Sequence, residues 1–206
     1  MSSTHDAVPI DHHDWHSASY VDQWIARDLT RDDERRVRLR QMLAAAGRPA
    51  DAELAVLDVG GGYGVVSEEV LRAFPRAHVT LQDYSQPMLD QARQRLAGHG
   101  EQVRYTLADL RHPAWARAVG GPFDLVVSAI AIHNLRDGAQ IAACYRAIAG
   151  IVKPDGIFLD YDLFELIGGL DAQLRAIREA GFATAECVWQ EGRVAIIAAR
   201  PPSQGG

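Results

Sequence analysis

A glycine-rich segment gives the clearest indication of chemistry in this sequence. Residues 56–66 read Val-Leu-Asp-Val-Gly-Gly-Gly-Tyr-Gly-Val-Val, so an apolar run leads into a glycine loop and then into a helical pattern. Glycine lets the backbone approach a ligand closely and take a positive φ. The first N–H groups of the following helix attract an anionic group. This strand–loop–helix context predicts a site for a nucleotide-like cofactor.

The spacing of the glycines separates two classes of ligand. A dinucleotide loop has the pattern G-x-G-x-x-G/A, but the position that would complete it from Gly60 is Val65. The chain instead has Asp58, Gly60, Gly62 and Gly64, which fit D-x-G-x-G-x-G. The spacing therefore disfavours an NAD(P)-linked reductase, which stays open as a less favoured alternative.

Four further motifs follow, three in or after later apolar runs and one directly before the fifth expected strand. They are Leu-Gln-Asp-Tyr-Ser at 81–85 with Pro-Met-Leu at 87–89, Leu-Ala-Asp-Leu at 107–110, Phe-Asp-Leu-Val-Val-Ser at 123–128 with Ala-Ile-His-Asn-Leu at 131–135, and Lys-Pro-Asp-Gly at 153–156. Together with the glycine loop, and in this order, they resemble the motifs of the class I S-adenosylmethionine-dependent methyltransferases over about residues 54–200. The resemblance implies S-adenosyl-L-methionine as cofactor and S-adenosyl-L-homocysteine as product.

The same resemblance implies which residues contact the cofactor. Asp58 would lie near the methionine ammonium group, Asp83 would accept hydrogen bonds from the ribose hydroxyls, and Asp109 would take the adenine amino group. Tyr84 and Met88 would flank the adenine ring, where flat or polarizable side chains pack well. The full set expected at the cofactor is Tyr20, Asp58, Gly60, Gly61, Gly62, Gly64, Asp83, Tyr84, Met88, Asp109, Leu110 and Ser128.

The reaction implied is an in-line SN2 transfer to a nucleophile of a small molecule, for example a secondary metabolite. The protein would mainly align the partners and exclude water. A general base would help a hydroxyl or azole N–H acceptor but not a free amine, and the candidates are His133, His16 and Tyr161. The residues expected at the acceptor are His12, Trp15, Trp24, His133, Asn134 and Tyr161. The alternative is a non-catalytic module that binds the cofactor and has a filled acceptor cavity.

Two sequence features restrict the acceptor. Methyltransferases that act on nucleobase amines or on glutamine resemble [DN]-P-P-[FY] after the fourth strand, whereas residues 128–131 read Ser-Ala-Ile-Ala. A catechol-type metal site would need acidic ligands here, and residues 128–135 contain none. The string His-His-Asp-Trp-His at 12–16 is a weak metal candidate because adjacent histidines do not share a face of a helix or strand. We therefore expect no metal.

The elements that must position these residues alternate along the chain. Strands are expected at Leu54–Val59, His78–Gln82, Val103–Leu107, Phe123–Ile130, Gly156–Tyr161, Thr184–Trp189 and Val194–Ala199, and helices at Arg31–Ala46, Val65–Phe74, Pro87–Leu96, Trp115–Val119, Gly138–Val152 and Leu170–Ala180. Such alternation indicates right-handed βαβ units. The predicted fold class is α/β, a Rossmann-like doubly wound seven-stranded sheet. It is mostly parallel, has an antiparallel C-terminal hairpin and carries helices on both faces.

The pattern of hydrophobic and polar residues changes along the sequence and divides the chain into three parts. Residues 1–50 are expected to form an N-terminal helical cover, residues 51–200 the cofactor-binding domain, and residues 201–206 a flexible tail. The stretch between strand five and the next helix, Leu163–Gly169, is too short for a lid domain. The N-terminal helices would therefore cover the site.

Composition excludes several other classes of protein. Of the 206 residues, 48% are hydrophobic and 23% are charged, which is typical of a globular domain. Two cysteines do not make a disulfide scaffold. A net charge of −6 argues against a nucleic-acid binder, and no apolar run approaches the ~20 residues that span a bilayer. With neither a basic nor an apolar region at the N-terminus, we expect a cytoplasmic monomer or homodimer without nucleic-acid or membrane partners.

Overall fold

The computed structural model describes residues 14–165 and 168–203. Its helices are α1 (Ala18–Asp28), α2 (Asp32–Ala44), α3 (Val65–Ala73), α4 (Gln86–Arg95), α5 (Trp115–Val119), α6 (Gly138–Ala149) and α7 (Leu170–Glu179). Its strands are β1 (Ala55–Val59), β2 (His78–Asp83), β3 (Val103–Leu107), β4 (Phe123–Ala129), β5 (Val152–Leu163), β6 (Thr184–Glu191) and β7 (Val194–Arg200). Short 3₁₀ turns lie at Leu29–Arg31, Ala97–Gln102 and Ile132–Leu135.

The strands form one seven-stranded sheet in the order β3-β2-β1-β4-β5-β7-β6. The first five strands are parallel, and β7 runs antiparallel to both β5 and β6. This confirms the predicted fold class, including the C-terminal hairpin. The strand order reverses beside β1, which pairs with β2 on one side and with β4 on the other.

Helices cover both faces of the sheet, as predicted. One apolar cluster joins the sheet to α2, α3 and α4 through residues such as Met42, Val70 and Leu89. The cluster on the opposite face contains Ile148 of α6 and Ile177 of α7. The two faces explain why the central strands are continuous apolar runs, since both sides of each strand are buried.

Local sequence signals account for most element boundaries. The Ser85 hydroxyl accepts the Met88 N–H at the start of α4, and Asp137 accepts the Gln140 N–H at the start of α6, as N-cap residues do. The start of β5 differs most from the prediction, whereas the other strand boundaries lie within two residues of it. The helix predicted to reach Val152 ends at Ala149. Strand β5 begins at Val152, four residues before Gly156, because Val152 pairs with the β4 strand ahead of a register shift.

The two cysteines do not pair. Cys144 is buried in the core and Cys187 is exposed. Within residues 14–165 and 168–203, no helix is long and apolar enough to cross a membrane.

Candidate active site

A cavity of about 1400 Å³ opens at the carboxyl ends of the parallel strands. It lies beside the point where the strand order reverses, which is where open α/β sheets bind their ligands. Its walls come from the glycine loop, the end of β2, the turn after β4, helices α1 and α2, and the β6–β7 hairpin. A volume of this size exceeds the 300–1,000 Å³ usual for one ligand. It has room for two molecules side by side.

The glycine loop forms one wall, and its backbone is held by the end of β2. Gly60 and Gly62 have φ values of 63° and 54°. The Gly60 N–H donates to the Gln82 side chain at 3.0 Å, and the Gly62 N–H donates to Oδ2 of Asp83 at 2.9 Å. A Cβ built on Gly62 would have only the Met88 sulfur within 4 Å, at 3.8 Å. Gly62 therefore presents open space to the cavity.

Neighbouring Gly61 serves a different purpose. A Cβ there would lie 2.7 Å from the Leu81 side chain and 2.9 Å from the Asp58 carboxylate. Gly61 is thus packed closely against other residues of the protein and not against the cavity, so a side chain at this position would displace the loop.

Asp83 is a buried carboxylate that lines the cavity and also shapes the loop. Besides Gly62, it accepts the Ser85 N–H at Oδ1, 2.8 Å away. Only 7% of the residue is exposed. Burial raises its pKa above the ordinary value, against the opposing effect of its backbone hydrogen bonds from Ser85, Gly62 and Tyr84.

Asp58 lies under the glycine loop and is fully buried. Its Oδ2 accepts the Ser67 hydroxyl at 2.6 Å, whereas Oδ1 has no hydrogen-bond partner within the described residues. Burial raises the pKa of this carboxyl to about 7, although the hydrogen bonds from Ser67 oppose the rise. A buried acceptor without a partner is costly, and it suits a cationic group brought by a ligand.

The end of β2 and the loop after β3 form a second wall. Tyr84, Met88, Asp109 and Leu110 all line it. The Arg111 guanidinium lies 5.9 Å from the centre of the Tyr84 ring. Burial raises the pKa of Tyr84 to about 12. This wall is flat, apolar and bordered by acids, as an adenosine group would require.

The turn after β4 carries His133, Asn134 and strained backbone into the cavity. Ile130 and Arg136 have φ values of 52° and 56°, which are unusual for residues other than glycine and most of all for a β-branched side chain. Such strain of roughly 1–3 kcal/mol per residue concentrates at functional sites. The turn lies between these two residues and presents His133 beside Tyr161 of β5.

His133 is held by Asp162, a residue that the sequence reasoning missed. Its Nδ1 lies 2.5 Å from Oδ1 of Asp162, and its backbone N–H donates to Oδ2 at 2.9 Å. Asp162 is 2% exposed. The available signal was the pair Asp160 and Asp162, two acids on one face of the otherwise apolar second half of β5.

The N-terminal helices close the cavity from above. Trp15 and Trp24 line it, with ring centres 5.3 Å apart, and Trp24 lies 6.0 Å from Tyr63 of the glycine loop. Val21 is completely buried beneath them. The Tyr63 hydroxyl donates to Asp28 at 2.6 Å, and Arg35 also bonds to Asp28. Helix α1 therefore rests directly on the glycine loop.

The β6–β7 hairpin and α2 add cavity residues that the sequence did not single out. Arg38 lies 4.2 Å above the ring of Trp189 and bonds to Glu191 at 2.9 Å. The Tyr161 and Trp189 rings are 6.2 Å apart. These contacts join elements far apart in sequence, so no local pattern could have indicated them.

Thirteen of the expected residues line the cavity, and the others lie elsewhere. The lining includes Gly60, Gly61, Gly62, Asp83, Tyr84, Met88, Asp109, Leu110, Trp15, Trp24, His133, Asn134 and Tyr161. His16 packs edge-on against Tyr84 and Tyr20 against Trp15, both outside the lining. His12 falls outside the described residues.

The remaining expected residues, Asp58, Gly64 and Ser128, lie beneath the cavity surface. Gly64 precedes α3 with φ 87°, and a Cβ there would meet Leu96 at 3.0 Å. The Ser128 hydroxyl donates to the Val59 carbonyl at 3.1 Å, so it is engaged within the sheet. In the ranges described, no group of three or more His, Cys, Asp or Glu side chains could hold a metal ion.

Comparison of the sequence with known proteins finds methyltransferases. Residues 56–156 match the family model of a methyltransferase domain. The chain is 41% identical over 90 residues to the release factor glutamine methyltransferase of Chlorobaculum tepidum, an alignment that covers 43% of this chain and 31% of that protein. It is 37% identical over 107 residues to the trans-aconitate 2-methyltransferase of Rhodopseudomonas palustris, covering 52% and 36%. The chain thus spans about a third of the length of these two relatives.

A solved structure shares the whole fold. The TehB-like SAM-dependent methyltransferase from Corynebacterium glutamicum superposes with a TM-score of 0.69 over 90% of this chain and 100% of that one, at 15% identity. At that identity the likeness is one of fold.

Proposed function

Because the chain belongs to the class I S-adenosylmethionine-dependent methyltransferases, we propose that it transfers a methyl group from S-adenosyl-L-methionine to a nitrogen or oxygen of a small molecule. The observation that carries this proposal is the cavity of about 1400 Å³ at the carboxyl ends of the parallel strands. Its glycine-loop side has the acids and open backbone that the cofactor requires, and its other side has polar groups and free volume for an acceptor.

The residues present fit the cofactor. Oδ1 of Asp58 is a buried acceptor without a partner among the described residues, and its carboxyl lies beneath the glycine loop, where its charge would attract the cofactor's ammonium group from below the cavity surface. The Asp83 carboxylate has acceptor capacity left beyond its backbone hydrogen bonds, because an ionised carboxylate offers about four acceptor positions. Tyr84, Met88, Asp109 and Leu110 would hold the adenine. When bound, the cofactor supplies an electrophilic methyl group on sulfur.

The protein's part is alignment and exclusion of water. The rings of Trp15 and Trp24 cover the cavity, and aromatic faces near a sulfonium favour the cation by ~0.5–2 kcal/mol. Holding two reactants in line is worth up to ~7–11 kcal/mol. A cavity of this volume supports a catalytic domain over a cofactor-binding module with a filled acceptor space.

The acceptor is proposed to be a small molecule. One relative is named for a glutamine of a release factor and the other for trans-aconitate, so the relatives share no acceptor. Residues 128–131 lack the [DN]-P-P-[FY] pattern of the glutamine and nucleobase enzymes. The net charge of −6 also disfavours nucleic acid.

Replacing Gly62 with alanine tests the proposal. The new Cβ would project into the space assigned to the cofactor, and we expect the affinity for S-adenosyl-L-homocysteine, measured by calorimetric titration, to fall roughly tenfold or more, about 1.4 kcal/mol. Gly47→Ala is the matched control, because Gly47 has a similar φ of 63°, nothing within 4 Å of its Cβ position, and a place outside the cavity. Equal affinities in the two variants would contradict the proposed site.

A further inference from the structure

The Asp162 carboxylate is fixed by more contacts than an ion pair with His133 requires. Oδ2 accepts the His133 N–H at 2.9 Å, and Oδ1 accepts the Leu163 N–H at 2.8 Å. The His133 ring then meets Oδ1 through Nδ1. With one backbone donor on each oxygen, the carboxylate cannot rotate without losing a buried hydrogen bond.

This arrangement determines which ring nitrogen of His133 carries the proton. A carboxylate that accepts from two backbone N–H groups presents only acceptor atoms to the ring, so Nδ1 must be the donor. Nε2 is then left with its lone pair in the neutral ring. Within the described residues Nε2 has no hydrogen-bond partner, and His133 is one of the residues that line the cavity.

We infer that Asp162 is a positioning residue that keeps Nε2 of His133 bare and facing the cavity, where it takes the proton from a hydroxyl on an aromatic acceptor. This inference rests on the proposed function and names the acceptor class. The strained residues Ile130 and Arg136 on either side of the His133 turn support it, because the chain holds an unfavourable backbone in order to place this ring.

The walls around His133 indicate a planar acceptor. The Tyr161 and Trp189 rings stand 6.2 Å apart, and both line the cavity. The small residues Ala129 and Ala131 also line the cavity, and Ala131 packs directly against Gly60 of the glycine loop. An aromatic acceptor packed against this ring pair would gain contact with their aromatic surfaces.

A fixed base favours a hydroxyl over an amine. A neutral amine attacks through its lone pair and loses its proton afterwards, whereas a hydroxyl becomes a strong nucleophile only as its proton leaves. Here Nε2 of His133 takes the hydroxyl proton while the oxygen forms its bond to the methyl carbon. The electron pair of the broken carbon–sulfur bond stays on sulfur, and Nε2 later releases the proton to water.

The tautomer of the His133 ring can be measured without assaying methyl transfer. In the full-length, ¹⁵N-histidine-labelled protein at about pH 8, where an ordinary histidine is neutral, long-range ¹H–¹⁵N spectra should show His133 protonated at Nδ1. His112 is the internal control, because its Nδ1 accepts the Ala114 N–H and must therefore be bare. His133→Asn identifies the resonance. A His133 ring protonated at Nε2 would overturn the inference.

The role of Asp162 is tested by Asp162→Ala. A folded variant should lose the uniform Nδ1–H form of His133, and an unchanged tautomer would remove Asp162 from the positioning role. If the variant does not fold, the wild-type tautomer still decides the inference.

The acceptor class is tested with two probes of equal shape, 2-naphthol and 2-naphthylamine. We expect transfer to the naphthol, slowed roughly 100-fold or more in His133→Asn, with unchanged affinity for S-adenosyl-L-homocysteine. Transfer to the naphthylamine alone, or equal naphthol rates in both proteins, would contradict the inference. Failure to bind S-adenosyl-L-homocysteine would instead contradict the proposed function, and it would leave the tautomer result standing.

Discussion

At the scale of single residues, Asp83 shows that one carboxylate serves both the fold and the ligand. Its motif position indicates only a cofactor contact, but the structure adds the hydrogen bonds from Gly62 and Ser85. These bonds shape the loop and the start of α4, so Asp83 is not a surface acid that can be changed without structural cost.

Asp83→Asn should therefore lower both stability and affinity. Each Asp83 oxygen accepts a backbone N–H, so the NH₂ group of an asparagine would face one of these two donors and that hydrogen bond would be lost. Losing a hydrogen bond to a charged group costs ~1.5–3 kcal/mol. We expect losses of that order in the free energy of unfolding by urea and in the binding of S-adenosyl-L-homocysteine. Asp90→Asn, an exposed acid on α4, should change neither. A variant with wild-type stability would show that the backbone bonds to Asp83 are unimportant.

The raised pKa of Asp58 predicts that cofactor binding is coupled to the release of a proton. Burial raises its pKa from 3.8 to about 7. With a folded-state pKa above the unfolded value, its contribution to stability is fully present below about pH 4 and is lost as the pH rises through about 7. A ligand ammonium in the cavity above the carboxyl favours the ionised form of Asp58, so binding should release a proton within this window.

Calorimetric titration of S-adenosyl-L-homocysteine at about pH 6, in two buffers of different ionisation enthalpy, measures this release. The apparent binding enthalpy should depend on the buffer in the wild type and lose that dependence in Asp58→Asn. Identical enthalpies in both buffers for the wild type would mean that Asp58 does not change its protonation on binding.

At the scale of elements, an ion network joins the N-terminal helices to the cofactor-binding domain. Arg36 of α2 donates to Asp32, to Glu68 at 2.8 Å and to Glu69 at 2.6 Å, the last two on α3. The Glu69 side chain is only 1% exposed. Since α3 begins directly after the glycine loop, this network also fixes α2 relative to that loop.

Arg36→Ala should destabilise the protein because it removes a cation from the buried Glu69 carboxylate. We expect a loss of ~1.5–3 kcal/mol in the free energy of unfolding. Arg40→Ala on the exposed side of the same helix should stay within ~0.5 kcal/mol of the wild type. Similar melting curves for the two variants would show that the network does not hold α2 in place.

The sequence predicted elements better than contacts between them. The spacing of hydrophobic residues and the turn residues located every strand and helix of the sheet region, because this spacing depends only on residues that are close in sequence. The early start of β5 at Val152 was missed because it depends on pairing with β4 across the register shift. Contacts such as Asp162 with His133 and Arg38 with Trp189 depend on tertiary packing, which local patterns do not encode.

At the scale of the whole molecule, the sheet explains why so many expected residues meet. Four motifs lie at the carboxyl ends of parallel strands or immediately after them, and these ends share one edge of the sheet, so the order β3-β2-β1-β4-β5 brings them to one cavity. The N-terminal helices and the C-terminal hairpin then close that cavity from two sides. The acceptor side depends on these two segments, for which the sequence offers no motif beyond its aromatic residues.

The most direct test of the account is the thermal unfolding of the full chain with S-adenosyl-L-homocysteine or with NAD⁺. A ligand at 100 times its dissociation constant adds about 2.7 kcal/mol of stability, which for a chain of this length raises Tm by roughly 5–10 °C. We predict that rise with S-adenosyl-L-homocysteine and no change with NAD⁺ at the same concentration. Stabilisation by NAD⁺, with no response to S-adenosyl-L-homocysteine, would contradict the account and point instead to a dinucleotide enzyme.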